Sequence, residues 1–271
     1  MGWNSYTCFG ISVVEAEVKA NADCLARHLA PFGWEYVVID GMWYEEFGAD
    51  GTRDAGDPLS HMAVDDYGRL LPAPARFPSS AGGAGFAPLA DYVHGLGLKL
   101  GIHIMRGIAR IAVQRNCLIA SAPYRAADIA DIADTCSWYS GMCGVKMAHP
   151  GAQAYYDSLL ALYASWGVDY IKADDMSSPY HPEEIAAVSR AIAACGRPIV
   201  LSLSPGDGTD TVYPEHRKAH CQLWRTSGDL HDHWQQVRDY FDVAARWAPH
   251  AGPGHWPDGD MLPLGMLHLR P

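Results

Sequence analysis

The chain has 271 residues, 49% of them hydrophobic and 19% charged, enough apolar material for a sizeable core. Its net charge of -11 argues against nucleic acid and anionic membranes as partners, and no apolar run approaches the roughly 20 residues of a membrane span. Met1 leads directly into "GWNSY" with no secretory signal ahead of it, so the default expectation is a cytoplasmic protein, with a truncated chain as the alternative.

In chain order, short β-type runs alternate with segments of helical period. Residues 13–30 place Val14, Val18, Ala22 and Leu25 on one helical stripe. The run "EYVVID" (35–40) reads as a strand and 86–97 as a helix. "LKLGIHIM" (98–105) is a strand and 151–167 a helix. "VDYIKAD" (168–174), helix 181–196, "PIVLSLS" (198–204), "CQLWRTS" (221–227) and helix 232–247 follow. Strand then helix, repeated, predicts parallel strands with right-handed crossovers. The alternatives are an open doubly wound sheet and a closed barrel. No GxGxxG or GxxxxGK[ST] follows any strand, which removes the usual reason for an open nucleotide-binding sheet. Polar residues instead gather at many strand ends: Asp40, Arg106, Asp174, Asp175, Ser204 and residues 225–229. A (β/α)8 TIM barrel builds its site there.

One catalytic barrel domain over residues 1–271 is therefore expected. About seven strands are countable and strand eight is not evident, so the barrel is expected to be truncated before or within it. Two long segments, 41–83 and 106–150, follow the second and third strands and are expected to be functional or disordered. Seven cysteines show no CxxC spacing; Cys136 and Cys143 are close enough in sequence to pair, the alternative being reduced and buried thiols.

Within "GVDYIKADDM" (167–176), alternation puts Tyr170, Lys172 and Asp174 on one strand face and Ile171, Ala173 and Asp175 on the other. The small apolar residues suit the helix-facing side, so Asp174 is expected at the barrel mouth, kept ionised by Lys172. Asp175 is expected to cap the following loop or helix. A buried Lys172–Asp174 ion pair without chemistry is the alternative. Acid/base chemistry needs a second carboxylate, and "WRTSGDLHDHW" (224–234) offers Asp229, whose other reading is an N-cap. In the same stretch His231 and His233, at i, i+2, diverge on a helix, so no metal is expected.

Together "MGWNSY" (1–6), "EYVVIDGMW" (35–43), "GRLLPAPARFP" (68–78), "LADYVHGLGLKLGIHI" (89–104), "WGVDYIKADD" (166–175), "WRTSGD" (224–229) and "GHWPDGDML" (254–262) resemble glycoside hydrolase family 27, the α-galactosidase and α-N-acetylgalactosaminidase family. The resemblance implies a (β/α)8 barrel followed by a C-terminal β domain, absent from this chain, and retaining hydrolysis without a cofactor. Asp174 resembles the nucleophile and Asp229 the general acid/base. Trp3, Asp40, Lys172, Arg225 and Asp260 match sugar-binding positions, and His103 stands where the family usually has a tyrosine. The implied ligand is a small-molecule or oligosaccharide glycoside; oligomeric state is not legible.

The departures concern specificity. Gly41 replaces a second acid that contacts outer sugar hydroxyls, and Ser204 an acid near the 2-hydroxyl. Met176 stands near the position of a cysteine that usually forms a disulfide, and "GIHIMRG" (101–107) differs from the galactosidase pattern. An α-D-galactosidase is the first reading. A β-L-arabinopyranosidase or an α-1,6-glucan-acting enzyme keeps the chemistry and changes the sugar. An inactive carbohydrate-binding barrel fragment is the reading of another class.

Overall fold

A computed structural model describes residues 1–46, 61–206, 212–265, 267 and 269; residues 47–60, in the long segment after the second strand, lie outside it. Seven strands form one sheet: β1 (Gly2–Asn4), β2 (Tyr36–Ile39), β3 (Lys99–Met105), β4 (Tyr170–Asp174), β5 (Val200–Leu203), β6 (Leu223–Arg225) and β7 (Trp256–Asp258). Their spatial order is their chain order, and every pairing is parallel. The helices are α1 (Glu15–His28), α2 (Ala87–Gly95), α3 (Gly151–Ser165), α4 (Pro182–Ala194), α5 (Pro214–His220) and α6 (Trp234–Trp247). The five expected strands and five expected helices are all present; β1, β7 and α5 are additional, as are short helical turns at Tyr6–Phe9, Arg110–Gln114 and Ala126–Ile129.

The sheet is curled. Strands about 4.8 Å apart would set β1 and β7 tens of ångströms from each other in a flat sheet. Instead Thr7, after β1, lies 3.5 Å from Met261 Sδ, after β7, and the Leu269 N–H donates to the Cys8 carbonyl at 2.8 Å. This is an α/β barrel wall of seven strands, and among the described residues no eighth strand is paired into it.

Alternation decides what fills the curl. Ile102, Ile104, Ile171, Ala173, Leu201 and Leu203 are buried and share the strand parity expected of the helix-facing side. His103, Lys172 and Ser202, in register across β3, β4 and β5, form one layer of the opposite parity. On α1, the Glu17 carboxylate accepts the Val14 N–H at 2.9 Å, and Arg27 and His28 sit in the last turn, complementing the helix dipole. Val18, Ala22 and Leu25 of its expected stripe are buried, while Val14 is the N-cap.

The described parts of the long segments are organised. Residues 106–150 carry a small antiparallel sheet of Ile108–Ala109, Met142–Val145 and Ala130–Asp131. Arg76, buried, donates to the carbonyls of Ile11, Val13, Met42 and Glu45, tying the segments after β1 and β2 together. The Trp43 indole donates to the His103 carbonyl at 2.6 Å, fixing the segment after β2 to β3. All seven cysteines are free, so the Cys136–Cys143 pairing does not form; both thiols are buried. No helix among the described residues is long and apolar enough to cross a membrane.

Candidate active site

The expected face of β4 holds. Asp174 and Lys172 point inward, but the lysine's direct partner is not Asp174. Lys172 Nζ donates to Asp40 Oδ2 at 2.9 Å, and Asp40 also receives the Asn4 amide at 2.6 Å and the Gly41 N–H at 2.8 Å. Burial opposes the charge of Asp40, yet Lys172, His103 and these hydrogen bonds hold its pKa down at about 2. Asp174 is held by His103, whose Nε2 lies 3.1 Å from Asp174 Oδ2. Burial pushes the Asp174 pKa up; the His103 hydrogen bond, the Lys172 charge and the Asp175 N–H outweigh it, and the carboxyl stays well below the usual carboxylate range. The isolated Lys172–Asp174 pair is thus replaced by a network in which Asp40 is the lysine's bonded partner.

Asp175 leaves the pocket, but not as a cap. Helix α4 starts at Pro182 with His181 as N-cap. Asp175 is buried and accepts from Arg106 Nε at 2.9 Å.

Asp229, its side chain 43% exposed, has Oδ1 3.2 Å from Arg225 Nη2. Helix α6 begins at Trp234 with His233 as N-cap, so Asp229 is not a helix cap. Arg225 also lies 2.9 Å from Asp260 Oδ1, and Asp260 Oδ2 accepts the Leu230 N–H at 2.6 Å. Arg225 and Asp260 therefore frame the loop that presents Asp229. Burial lifts the Asp260 pKa to about 6 against the opposing charge of Arg225. Ser204 is buried at the end of β5, on the parity of Ser202.

Trp3 is half-buried. Its parity is opposite to that of Asn4, and it packs edge-on against Phe9 at 6.2 Å beside the core. Tyr6 lies near the lysine. Lys172 Nζ lies 5.9 Å from its ring centroid, and its hydroxyl pKa is raised by burial and then by Asp229, Asp40 and Asp174. Tyr6 is thus within electrostatic reach of both aspartates. The sequence reading did not single out Tyr6 or Asn4, and it placed Arg106 at a strand end without giving it a role. "MGWNSY" held the signal for the first two, at the C-terminal end of a strand.

Gly41 is buried with the His103 ring over it: an added Cβ would lie 3.7 Å from Cε1 and 3.8 Å from Nδ1. His103 Nδ1 is itself buried without a partner.

The histidines 231 and 233 are exposed, with ring centroids 6.4 Å apart. An HxxxH spacing that the sequence reading overlooked, His216 and His220, packs ring to ring at 4.4 Å, and His216 Nδ1 is engaged by the Tyr180 hydroxyl at 2.7 Å. Among the described residues the one cluster with three potential ligands is Asp134, His181 and Glu184, and there Arg106 already bonds both carboxylates.

A family model described as melibiase, alpha galactosidase A, matches residues 133–270. The chain belongs to glycoside hydrolase family 27. An α-galactosidase of Oryza sativa subsp. japonica is 31% identical over 268 residues, covering 98% of this chain and 51% of that protein. An α-N-acetylgalactosaminidase of Mus musculus is 32% identical over 292 residues, 99% and 56% of the two chains. The solved structure of a family 27 β-L-arabinopyranosidase from Geobacillus stearothermophilus, in complex with arabinose, superposes with a TM-score of 0.93 at 49% identity; 100% of this chain matches 63% of that one. The family 27 chain described above thus spans about half the length of the curated relatives it matches.

Proposed function

We propose that this chain carries the active site of a retaining exo-glycosidase acting on terminal α-D-galactosides or the closely related β-L-arabinopyranosides. The observation that carries the reading is the contrast between two carboxylates. Asp174 is nearly buried yet strongly ionised, as a nucleophile must be. Asp229 is solvent-facing on a loop anchored by Arg225, where a leaving group enters and departs.

In this reading Asp229 protonates the glycosidic oxygen while Asp174 Oδ attacks the anomeric carbon. The C–O bond breaks, the aglycone leaves as an alcohol, and a glycosyl ester forms on Asp174. Asp229, now a carboxylate, takes a proton from water, which displaces Asp174. Two inversions retain configuration. Asp40 and Lys172 form a charged, preorganised pair for sugar hydroxyls, and Tyr6 supplies an aromatic wall.

Gly41 and the 49% identical arabinopyranosidase support the arabinopyranoside as the better substrate. The two sugars differ by a hydroxymethyl group, and the carboxylate that would grip that end is missing here. A panel of aryl glycosides with anomer analysis by NMR tests both parts. Turnover of the arabinopyranoside at least equal to that of the α-galactoside, with retained configuration, is the expected result. Inverted product refutes the mechanism, and strong selectivity for galactoside refutes the sugar. No turnover of any glycoside leaves the carbohydrate-binding barrel.

A further inference from the structure

We infer that Arg106 is a positioning residue for the nucleophile, acting through Asp175 to fix the orientation of the Asp174 carboxylate. This rests on the reading of Asp174 as nucleophile.

Arg106 follows directly on β3, and its guanidinium is almost fully buried. Nε donates to Asp175 Oδ2 at 2.9 Å, Nη1 to Glu184 Oε1 at 2.8 Å, and Nη1 and Nη2 to the two oxygens of Asp134 at 2.7 and 2.8 Å. The Arg106 backbone N–H donates to the Asp174 carbonyl at 2.9 Å. One residue thus grips the nucleophile's peptide and the side chain next to it.

Asp175 has φ of +59°, a left-handed conformation uncommon outside glycine, asparagine and aspartate. That conformation aims its N–H at Asp174 Oδ1, 3.0 Å away. His103 meets the other oxygen, Oδ2. Both carboxylate oxygens are therefore pinned, one by a side chain from β3 and one by a backbone N–H whose geometry the Arg106–Asp175 bond secures. Each oxygen keeps a lone pair for attack.

Arg106 also bonds three carboxylates, those of Asp175 and Glu184 buried and that of Asp134 partly exposed, and a purely structural role would end there. The two roles separate in rate per folded site. Asp175→Asn keeps the left-handed preference and the N–H but deletes the charged bond. Asp175→Ala loses the preference and the bond. Arg106→Lys keeps the charge and loses the planar fork. Active sites are counted with a 2-deoxy-2-fluoro glycosyl inactivator, and its rate of ester formation is measured beside kcat, KM and Tm.

Arg106→Lys and Asp175→Ala are expected to lower ester formation and kcat per site by about 100-fold, the cost of a misaligned reacting group, with KM little changed. Asp175→Asn is expected to lose about tenfold, the worth of one charged hydrogen bond. If Arg106→Lys does not fold, Asp175→Asn against Asp175→Ala decides. Wild-type rates per site in folded variants that merely melt earlier would overturn the inference alone. Wild-type turnover by Asp174→Ala would remove the nucleophile assignment and this inference with it.

Discussion

His103 and Asp174 meet at 3.1 Å, Nε2 to Oδ2, between neighbouring strands in register. An ionised carboxylate accepts, so Nε2 carries a proton, while Nδ1 is buried with no partner. The same ring covers Gly41. Residues 41 and 103 are therefore one unit, and their two departures from the family pattern are linked.

This changes what Gly41→Asp does. Position 41 is not among the residues with positive φ, and the added Cβ makes ordinary contacts with His103, so the side chain fits. The new carboxylate lies beside the orphan Nδ1, draws a proton onto that nitrogen and pairs with the resulting imidazolium rather than with sugar. Gly41→Asp alone is expected to change the galactoside-to-arabinopyranoside ratio of kcat/KM by less than about threefold. With His103→Tyr added, the carboxylate is released to the sugar and the ratio rises by about one to two decades, the worth of a charged hydrogen bond. Kinetics on both aryl glycosides decide it.

Lys172 and Asp40 form a buried bonded pair. Lys172→Met strands the Asp40 charge and is expected to cost about 3–5 kcal/mol at pH 7. Urea unfolding at several pH values checks the origin of the loss. It shrinks as the pH falls toward the unfolded carboxylate value near ~4, because protonation relieves the stranded charge. A loss independent of pH would make it one of packing.

In the wild-type protein the folded pKa of Asp40, about 2, lies below its unfolded value. The unfolded chain then binds the extra proton, so this contribution is complete above about pH 4 and is lost as the pH falls through about 2. It amounts to roughly 2 kcal/mol. Unfolding free energies of wild type and Asp40→Asn, compared between pH 2 and 5, should converge at the acid end.

The roles of the two carboxylates predict different leaving-group dependence. Asp229→Asn is expected to slow alkyl glycosides by about 10²–10⁴-fold and aryl glycosides with acidic phenols far less. Asp174→Asn is expected to abolish turnover of both. Rates against leaving-group pKa for each variant give the answer; parallel lines would contradict the assignment.

The strand interiors were legible because alternation is local. Tyr170, Lys172 and Asp174 needed only the period of a strand and the small Ile171 and Ala173 opposite. That logic fails where a strand stops. β1 ends at Asn4 and a short helical turn begins at Tyr6, so Tyr6 comes within reach of Lys172 although strand alternation does not extend to it. The partner of Lys172 was also out of reach, since Asp40 is 132 residues away. Arg106 and Asp134 offered no local pattern, because their grouping depends on how a long segment folds back over β3. Departures at Gly41 and His103 were visible singly, and only the stacking of one on the other couples them.

The central claim is that Asp174, not Asp175, forms the covalent bond to sugar. It is tested by trapping the protein with a 2-deoxy-2-fluoro-β-L-arabinopyranosyl fluoride, or its α-D-galactosyl counterpart, and mapping the labelled peptide by tandem mass spectrometry. One glycosyl ester on Asp174, absent from Asp174→Ala and hydrolysed slowly with return of activity, is the predicted result. An ester on Asp175 or Asp229, or turnover with inverted product and no ester, would contradict the account.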